Sequence, residues 1–308
     1  MPGKIPKVSI VILHFKNTQL LEECLDSCDK LSYLNYEIII VLNGNNSRTI
    51  QGGLKKHRSS IQMISLPSNV GYSRGNNLGI QKALKNHADY VLLLNDDAIT
   101  TADFLNILVE EAEKSSDTAM VGPVIYYADP SDKIWFDGAD FDRNECKVYT
   151  KDVSTHKGIA ELDPHETDYV TGCALLIKRN VLETIGLLDE RFFLYWEDVD
   201  LGLRAKRAGL KNIIVPKARI YHKVSVSIGG TDSALKAYHK TRSNLLLAKL
   251  HAPKAIKKLI ISFLRDIAWL IFKSSDEKRF FKASAYLAAI IDFYRRKANK
   301  GPDWIWGN

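Results

Sequence analysis

The sequence predicts an α/β protein, a mainly parallel sheet flanked by helices with a helical extension at its C-terminal end. Three observations predict it. Residues 7–125 alternate short, apolar, β-branched runs with amphipathic stretches, the pattern of a sheet covered on both faces. Each apolar run ends in a polar cluster, as the ligand-facing edge of such a sheet does. Beyond Asp232 the periodicity turns helical and the charge turns basic.

The elements follow in order. Residues 8–13 (VSIVIL) read as a buried strand. Residues 18–30 form a helix with Leu20, Leu21, Cys24, Leu25 and Cys28 on one face. Strands are expected over 37–42 and 61–66, a helix over 73–86, a strand over 90–94, a helix over 102–114 and a strand over 118–125 that continues the series. From 126 to 164 the pattern is irregular, with 133–141 and 146–150 as a hairpin. Residues 168–178 read as one strand, and 197–208 as a helix closed by Gly209, an ordinary C-cap. Residues 212–216 and 219–222 are two short strands.

The totals exclude several classes. The chain has 308 residues, 45% hydrophobic and 26% charged, with net charge +7, a composition well able to bury a core. From Pro253 onward 12 Lys/Arg stand against 5 Asp/Glu, so the surplus belongs to the tail and no nucleic-acid partner is expected. Cys24, Cys28, Cys146 and Cys173 form no CxxC pair; reduced thiols in a cytoplasmic protein are expected, and a zinc site is not. The opening MPGKIPK leads straight into a strand, so no signal peptide is expected. The longest apolar stretch, residues 259–272, is broken by Arg265-Asp266 and is shorter than the ~20 residues that span a bilayer.

Four constellations carry chemistry. Leu92-Leu-Leu-Asn95-Asp96-Asp97 puts carboxylates at the end of a strand, where Mg²⁺ or Mn²⁺ finds oxygen ligands beside substrate phosphates; helix capping is the competing role. Asn69-Val-Gly71-Tyr-Ser-Arg74-Gly75-Asn76-Asn77-Leu-Gly79 offers a close-approach turn with a cation for a diphosphate, or a plain strand–turn–helix connection. Trp196-Glu197-Asp198 sets a sugar-stacking ring against two acids, one of which suits a general base for a hydroxyl; acids in a first helical turn also favour the dipole. His222 closes an apolar strand and on its own more often plays a structural part.

Their order is the stronger signal. The first strand, Asn43-Gly-Asn-Asn-Ser47, Asn69…Gly79, Asn95-Asp96-Asp97, Thr171-Gly172-Cys173, Trp196-Glu197-Asp198 and His222 together resemble the family 2 glycosyltransferases of the GT-A fold, a Rossmann-like architecture. The chain looks most like the rhamnosyltransferase-like branch of bacterial surface-polysaccharide enzymes. The resemblance runs from about Val8 to Asn244. It implies a hexosyltransferase that uses a UDP- or dTDP-sugar, a divalent metal (Mn²⁺ or Mg²⁺) and a glycan or lipid-linked hydroxyl acceptor, inverting the anomeric carbon. By position, Asp97 falls on the metal ligand of the Asp-x-Asp motif, Asp96 on a ribose contact or a neighbour of the metal, and His222 on a further contact to metal or diphosphate. Asp198 falls on the general base, with Glu197 beside it. His14, Phe15, Asn17 and Asn43 fall where the base packs; Asn69, Gly71, Arg74, Asn76, Asn77 and Asn95 complete the nucleotide-sugar site. Thr171, Gly172, Cys173 and Trp196 fall on the donor and acceptor pocket. Many relatives carry Val-Asp-Asn where this chain has Val41-Leu42-Asn43, which leaves the choice of base open. The alternatives are a nucleotidyltransferase of similar fold or a non-catalytic sugar-binding homologue. The former lacks its glycine-rich loop, since His14-Phe-Lys-Asn17 has no glycine.

The resemblance divides the chain into a catalytic domain over 1–230, with a nucleotide-binding half (about 1–125) and an acceptor half (about 126–230), and an extension over 231–308. That extension carries apolar and aromatic residues at helical spacing with Lys and Arg between. It reads as an amphipathic pair for an anionic membrane surface, placing the enzyme peripherally on the inner face of the plasma membrane. Packing on the catalytic domain or in a homo-oligomer is the other use of such a face.

Overall fold

The computed structural model describes residues 5–44, 57, 60–150, 161–223 and 233–306. Its parallel half holds β1 (Val8–His14), β2 (Tyr36–Asn43), β3 (Ile61–Leu66) and β4 (Tyr90–Asn95) in the order β4-β1-β2-β3. β1 lies between its partners with Val8 opposite both Tyr36 and Tyr90, so the C-terminal ends of β1, β2 and β4 share one edge. Every residue of β2 from Glu37 on is buried, as a central parallel strand requires.

Helix α1 (Thr18–Cys28) buries the face read from its spacing. Asn17 caps it, its Oδ1 accepting from the backbone N–H of Gln19 at 3.1 Å and of Leu20 at 3.4 Å. Helix α2 (Tyr72–Lys85) lies hard against β1. A Cβ on Gly75 would strike Leu13, and one on Gly79 would strike Val11.

The other half departs from the expected series. β6 (Thr118–Tyr127) does not join β4; β11 (Ala174–Lys178) sits between them, antiparallel to both. β12 (Lys211–His222) then runs parallel to β6 and carries β10 (His165–Thr167) on its edge. The full order is β10-β12-β6-β11-β4-β1-β2-β3, so the sheet is mixed and only its β4-β1-β2-β3 half is wholly parallel. A run buried on both faces has the same composition whichever way its neighbours point, and β6 is such a run. The expected strand over 168–178 begins only at Ala174, because residues 168–173 leave the sheet to serve loops. There Asp168 Oδ2 accepts the Phe141 N–H at 2.6 Å.

Smaller elements were not legible in the periodicity. They include β5 (Ala98–Thr100), which pairs with β12, and the seven-residue α4 (Arg179–Ile185); the strand expected over 133–141 divides, its first part, β7 (Ile134–Phe136), pairing with β6. The expected hairpin is β8 (Ala139–Asp142) with β9 (Lys147–Thr150). α3 (Phe104–Glu113) and α5 (Glu197–Arg207) lie where expected, and Gly209 beyond α5 has φ +79°. The two short strands form one, β12, whose register shifts between Val215 and Arg219, across a proline that donates no ladder hydrogen bond.

The C-terminal segment is α6 (Ala234–His251), α7 (Ile256–Phe272), α8 (Arg279–Tyr294) and a short turn, Asp303–Trp306. It is welded to the catalytic part by a second core in which Phe192, Val199 and Leu203 meet Leu245, Leu259 and Ile290. Buried Asp200 ties the two together, 2.8 Å from Arg204 and 2.7 Å from His251. The expected 230/231 boundary falls outside the described residues. Among them no helix is long and apolar enough to cross a membrane.

Candidate active site

The C-terminal edges of β1, β2 and β4 open on a cavity of about 740 Å³. Asn95, Asp96, Asp97, Thr171, Gly172, Cys173, Trp196, Glu197, Asp198 and His222 all line it. Residues far apart in the chain thus converge as their order implied.

Asp97 lies two residues beyond β4, immediately before β5. Short strand β5 then sets Ala98 opposite His222 across the β5–β12 ladder, and this pairing brings Asp97 Oδ1 to 3.0 Å from His222 Nε2. Both side chains are buried. Burial opposes charge on His222, but the Cys173 sulfur and the Asp97 carboxylate outweigh it and push the imidazole up to about 11. Trp135 packs edge-on against the ring at 4.6 Å. Asp96 turns the other way: His14, fully buried at the end of β1, meets it through Nδ1 at 2.7 Å. Burial still raises the Asp96 carboxyl, with the His14 hydrogen bond opposing.

Among the described residues no group of three or more His, Cys, Asp and Glu side chains could hold a metal by itself. The donors nonetheless fit a divalent cation. Mg²⁺-type ions commonly take one or two protein ligands and complete their shell with substrate phosphates and water, and Asp97 with His222 offers such a partial set on a cavity wall. For His222 to hold a cation its imidazole would have to be neutral, since a ligating histidine is deprotonated.

Across the cavity, Trp196 and Tyr195 both hold positive φ, at +73° and +69°. Such conformations cost about 1–3 kcal/mol each and here turn the chain into α5. Helix α6 holds the turn: Ser243 donates to the Leu194 carbonyl at 2.9 Å, and the Trp196 indole N–H donates to the Lys240 carbonyl at 3.3 Å. The Asp198 carboxylate accepts the Gly172 N–H on Oδ2 at 2.9 Å and the Val199 N–H on Oδ1 at 2.8 Å. Burial raises its pKa against these hydrogen bonds. Burial and then the neighbouring Asp198 raise Glu197 well above the usual carboxylate range, and its Oε2 has no hydrogen-bond partner among the described residues.

Asn43 and Asn69 build the turn before α2. Asn43 Oδ1 accepts the Val70 N–H at 2.8 Å, and its amide donates to Asn69 Oδ1 at 2.9 Å. Gly71, at φ +91°, leaves no room for a side chain, since its Cβ would lie 2.6 Å from the Phe193 carbonyl oxygen. Asn43, Asn69, Gly71 and Phe15 face the cavity. The remaining expected contacts have other places. Asn17 caps α1, Asn76 donates to the Tyr72 carbonyl at 3.0 Å, and Asn77 clamps Leu188 at 2.8 Å. Arg74 is largely exposed, 3.9 Å from Glu190, and lies outside the cavity lining; the helix turns its side chain away from the face that Gly71, Gly75 and Gly79 press on the protein. Asn45–Ser47 lie outside the described residues.

Other lining residues carried no local signal. Tyr72 donates to the Gly172 carbonyl at 2.8 Å. Lys236, Lys240, Lys278 and Trp306 reach the cavity from the C-terminal segment. Trp306 sits 6.3 Å from Phe15, 6.1 Å from Phe193 and 5.9 Å from His239, ring centre to ring centre. The segment expected as an appendage is therefore a wall of the site.

A half-parallel sheet with an acid–histidine pair on one wall of a cavity and a buried acid pair on the other defines a group-transfer enzyme of the GT-A architecture. The comparisons specify the group. The model of glycosyl transferase family 2 matches residues 9–186, and the chain belongs to that family; it is a sugar-transferring enzyme, a hexosyltransferase. It is 24% identical over 258 residues to an N-acetylglucosaminyl-diphospho-decaprenol L-rhamnosyltransferase of Mycobacterium tuberculosis, covering 75% of this chain and 81% of that protein. It is 22% identical to the dTDP-rhamnosyl transferase RfbF of Shigella flexneri, covering 73% and 76%. In fold it is similar to GalNAc-T7, solved with UDP, GalNAc and Mn²⁺, at TM-score 0.60 and 16% identity, over 86% of this chain and 57% of that one.

Proposed function

We propose that this enzyme moves a hexose from a UDP- or dTDP-sugar to a hydroxyl of a glycan or lipid-linked acceptor in cell-surface polysaccharide synthesis, with inversion and with Mn²⁺ or Mg²⁺. The observation that carries the reading is the cavity in which Asp97 and His222 face Asp198 and Glu197. The names of the two rhamnosyltransferases support the sugar class, and the Mn²⁺ in the GalNAc-T7 structure supports the cation.

Asp198 takes the proton from the acceptor oxygen as that oxygen bonds to the anomeric carbon and the nucleotide diphosphate leaves. The Gly172 and Val199 amides hold its two oxygens in place, and its raised affinity for a proton suits a base. Asp97 and His222 would hold a divalent cation, which would supply Lewis-acid neutralisation of the leaving diphosphate. Asn43, Asn69, Gly71 and Phe15 form the nucleotide side, with Trp306 across from Phe15. Thr171, Gly172, Cys173 and Trp196 line the sugar and acceptor side. A lipid-linked acceptor would place the enzyme peripherally at the inner face of the plasma membrane.

The test is slow hydrolysis of a nucleotide-sugar panel with and without Mn²⁺, beside calorimetry of UDP and dTDP. One donor class is expected to be hydrolysed in a cation-dependent way, and Asp97→Ala to lose Mn²⁺-dependent nucleotide binding. A protein that binds and hydrolyses none of the panel would overturn the reading.

A further inference from the structure

The turn joining α7 to α8 presents a concentration of apolar surface. Phe272 is 82% exposed, Phe280 58% and Trp269 55%. Ile271 is exposed on the same end of α7. Trp304 is also exposed and packs against Phe281 at 4.8 Å, which brings the C-terminal turn to the same place. Trp269, Ile271 and Phe272 lie in the last turn of α7 and Phe280 in the first turn of α8, and beside Trp269 a groove of about 600 Å³ is lined by Lys273, Ser274, Asp276 and Lys282 together with Asp266. Clustered exposed apolar side chains of this kind mark an interaction surface.

The charge around the cluster selects the occupant. Lys273 and Lys278 are exposed in the turn, and the Arg279 guanidinium covers the Phe280 ring at 4.9 Å. Of the two acids in the turn, Asp276 is neutralised by Lys282, which leaves the local balance basic. Apolar tips flanked by cations, where no helix among the described residues is long and apolar enough to cross a bilayer, match a lipid surface carrying negative headgroups. The position matters as much as the chemistry. Lys278 and Phe281 line the substrate cavity while Phe280, between them in the same helical turn, points outward.

We infer that the Phe272–Phe280 turn docks on an anionic bilayer surface, with Phe272, Phe280 and Trp269 entering the headgroup boundary and the cavity mouth held beside it. A saccharide on a lipid carrier would then reach Asp198 without leaving the membrane plane. This consequence rests on the proposed acceptor class; the docking itself does not.

The test is co-sedimentation of the full chain with vesicles of phosphatidylcholine alone or with one-third phosphatidylglycerol, alongside sedimentation velocity and UDP/dTDP calorimetry. The wild type is expected to bind the anionic vesicles and not the neutral ones. Phe272→Ser with Phe280→Ser should weaken that binding by roughly tenfold or more, and Lys273→Glu should weaken it and reduce its salt sensitivity. Nucleotide binding in these variants should match the wild type, which also shows that they fold. No binding of the wild type to anionic vesicles would overturn the inference. So would a wild-type dimer that the double serine variant converts to monomer without vesicle binding, since a second copy would then cover this face. Vesicle binding with no UDP or dTDP binding would leave the docking standing and sink the proposed donor class instead.

Discussion

Replacing Asp198 by Asn is the perturbation whose outcome the geometry most constrains. Each carboxylate oxygen accepts one backbone N–H, from Val199 and from Gly172. Asparagine presents one oxygen and one NH₂, so one buried amide would face a donor. Leaving such a group unsatisfied costs about 1–3 kcal/mol. A second effect has the opposite sign. Burial raises the Asp198 pKa in the folded state, so the native protein holds this proton more tightly than the unfolded chain. Stability therefore falls as pH rises from the unfolded pKa through the raised folded one, and above that the penalty is fully present. Asparagine carries no charge to desolvate and escapes it. The net stability change at neutral pH should be small, and smaller than for Asp198→Leu, which loses both acceptors.

Turnover should change far more. Loss of a general base costs about 10²–10⁴-fold, or roughly 3–5 kcal/mol in barrier at 1.36 kcal/mol per decade. The assay is nucleotide release from the best donor of the panel with Mn²⁺, beside nucleotide calorimetry and a thermal melt. Asp198→Asn should keep nucleotide affinity within a few-fold while release falls by at least a hundredfold. The wild-type profile should lose activity as pH falls through a pKa raised above that of a free aspartate. Near-normal turnover in Asp198→Asn would refute the assignment. If Glu197→Gln were then inactive, the base would be Glu197, whose buried Oε2 lacks a partner.

Three further outcomes follow from the packing. Gly79→Ala should destabilise by about 1–3 kcal/mol through overpacking against Val11, read as a lower melting temperature. Arg74→Ala should leave donor KM within about twofold, since an exposed side chain 3.9 Å from Glu190 makes a surface contact of little worth. Trp306→Ala should weaken nucleotide binding by roughly tenfold, from lost aromatic contact, with Trp306→Phe recovering most of it by calorimetry.

What the sequence revealed and what it hid divide along a physical line. The strands of the parallel half and the apolar face of α1 were legible because local periodicity encodes them, and Asp96 and Asp97 stood out because they follow a strand, which sets them on the cavity wall. The spacing of Gly71, Gly75 and Gly79 was also on view, yet it invites a phosphate-loop reading. Residues four apart share a helix face, and here that face presses α2 onto Leu13 and Val11, which turns Arg74, Asn76 and Asn77 elsewhere. The contact of Asp97 with His222 depends on a three-residue strand opposite the end of β12, too short to leave a period. The antiparallel insertion of β11 was hidden because a doubly buried strand does not record its neighbours' direction. Trp306 was hidden for a related reason: it meets Phe15 from the opposite end of the chain, and no local pattern reports a contact made only once the C-terminal helices have packed. That contact bears on function. It makes one wall of the cavity depend on the same segment that carries Phe272 and Phe280, so whatever steadies the helix pair from outside also steadies the cavity within.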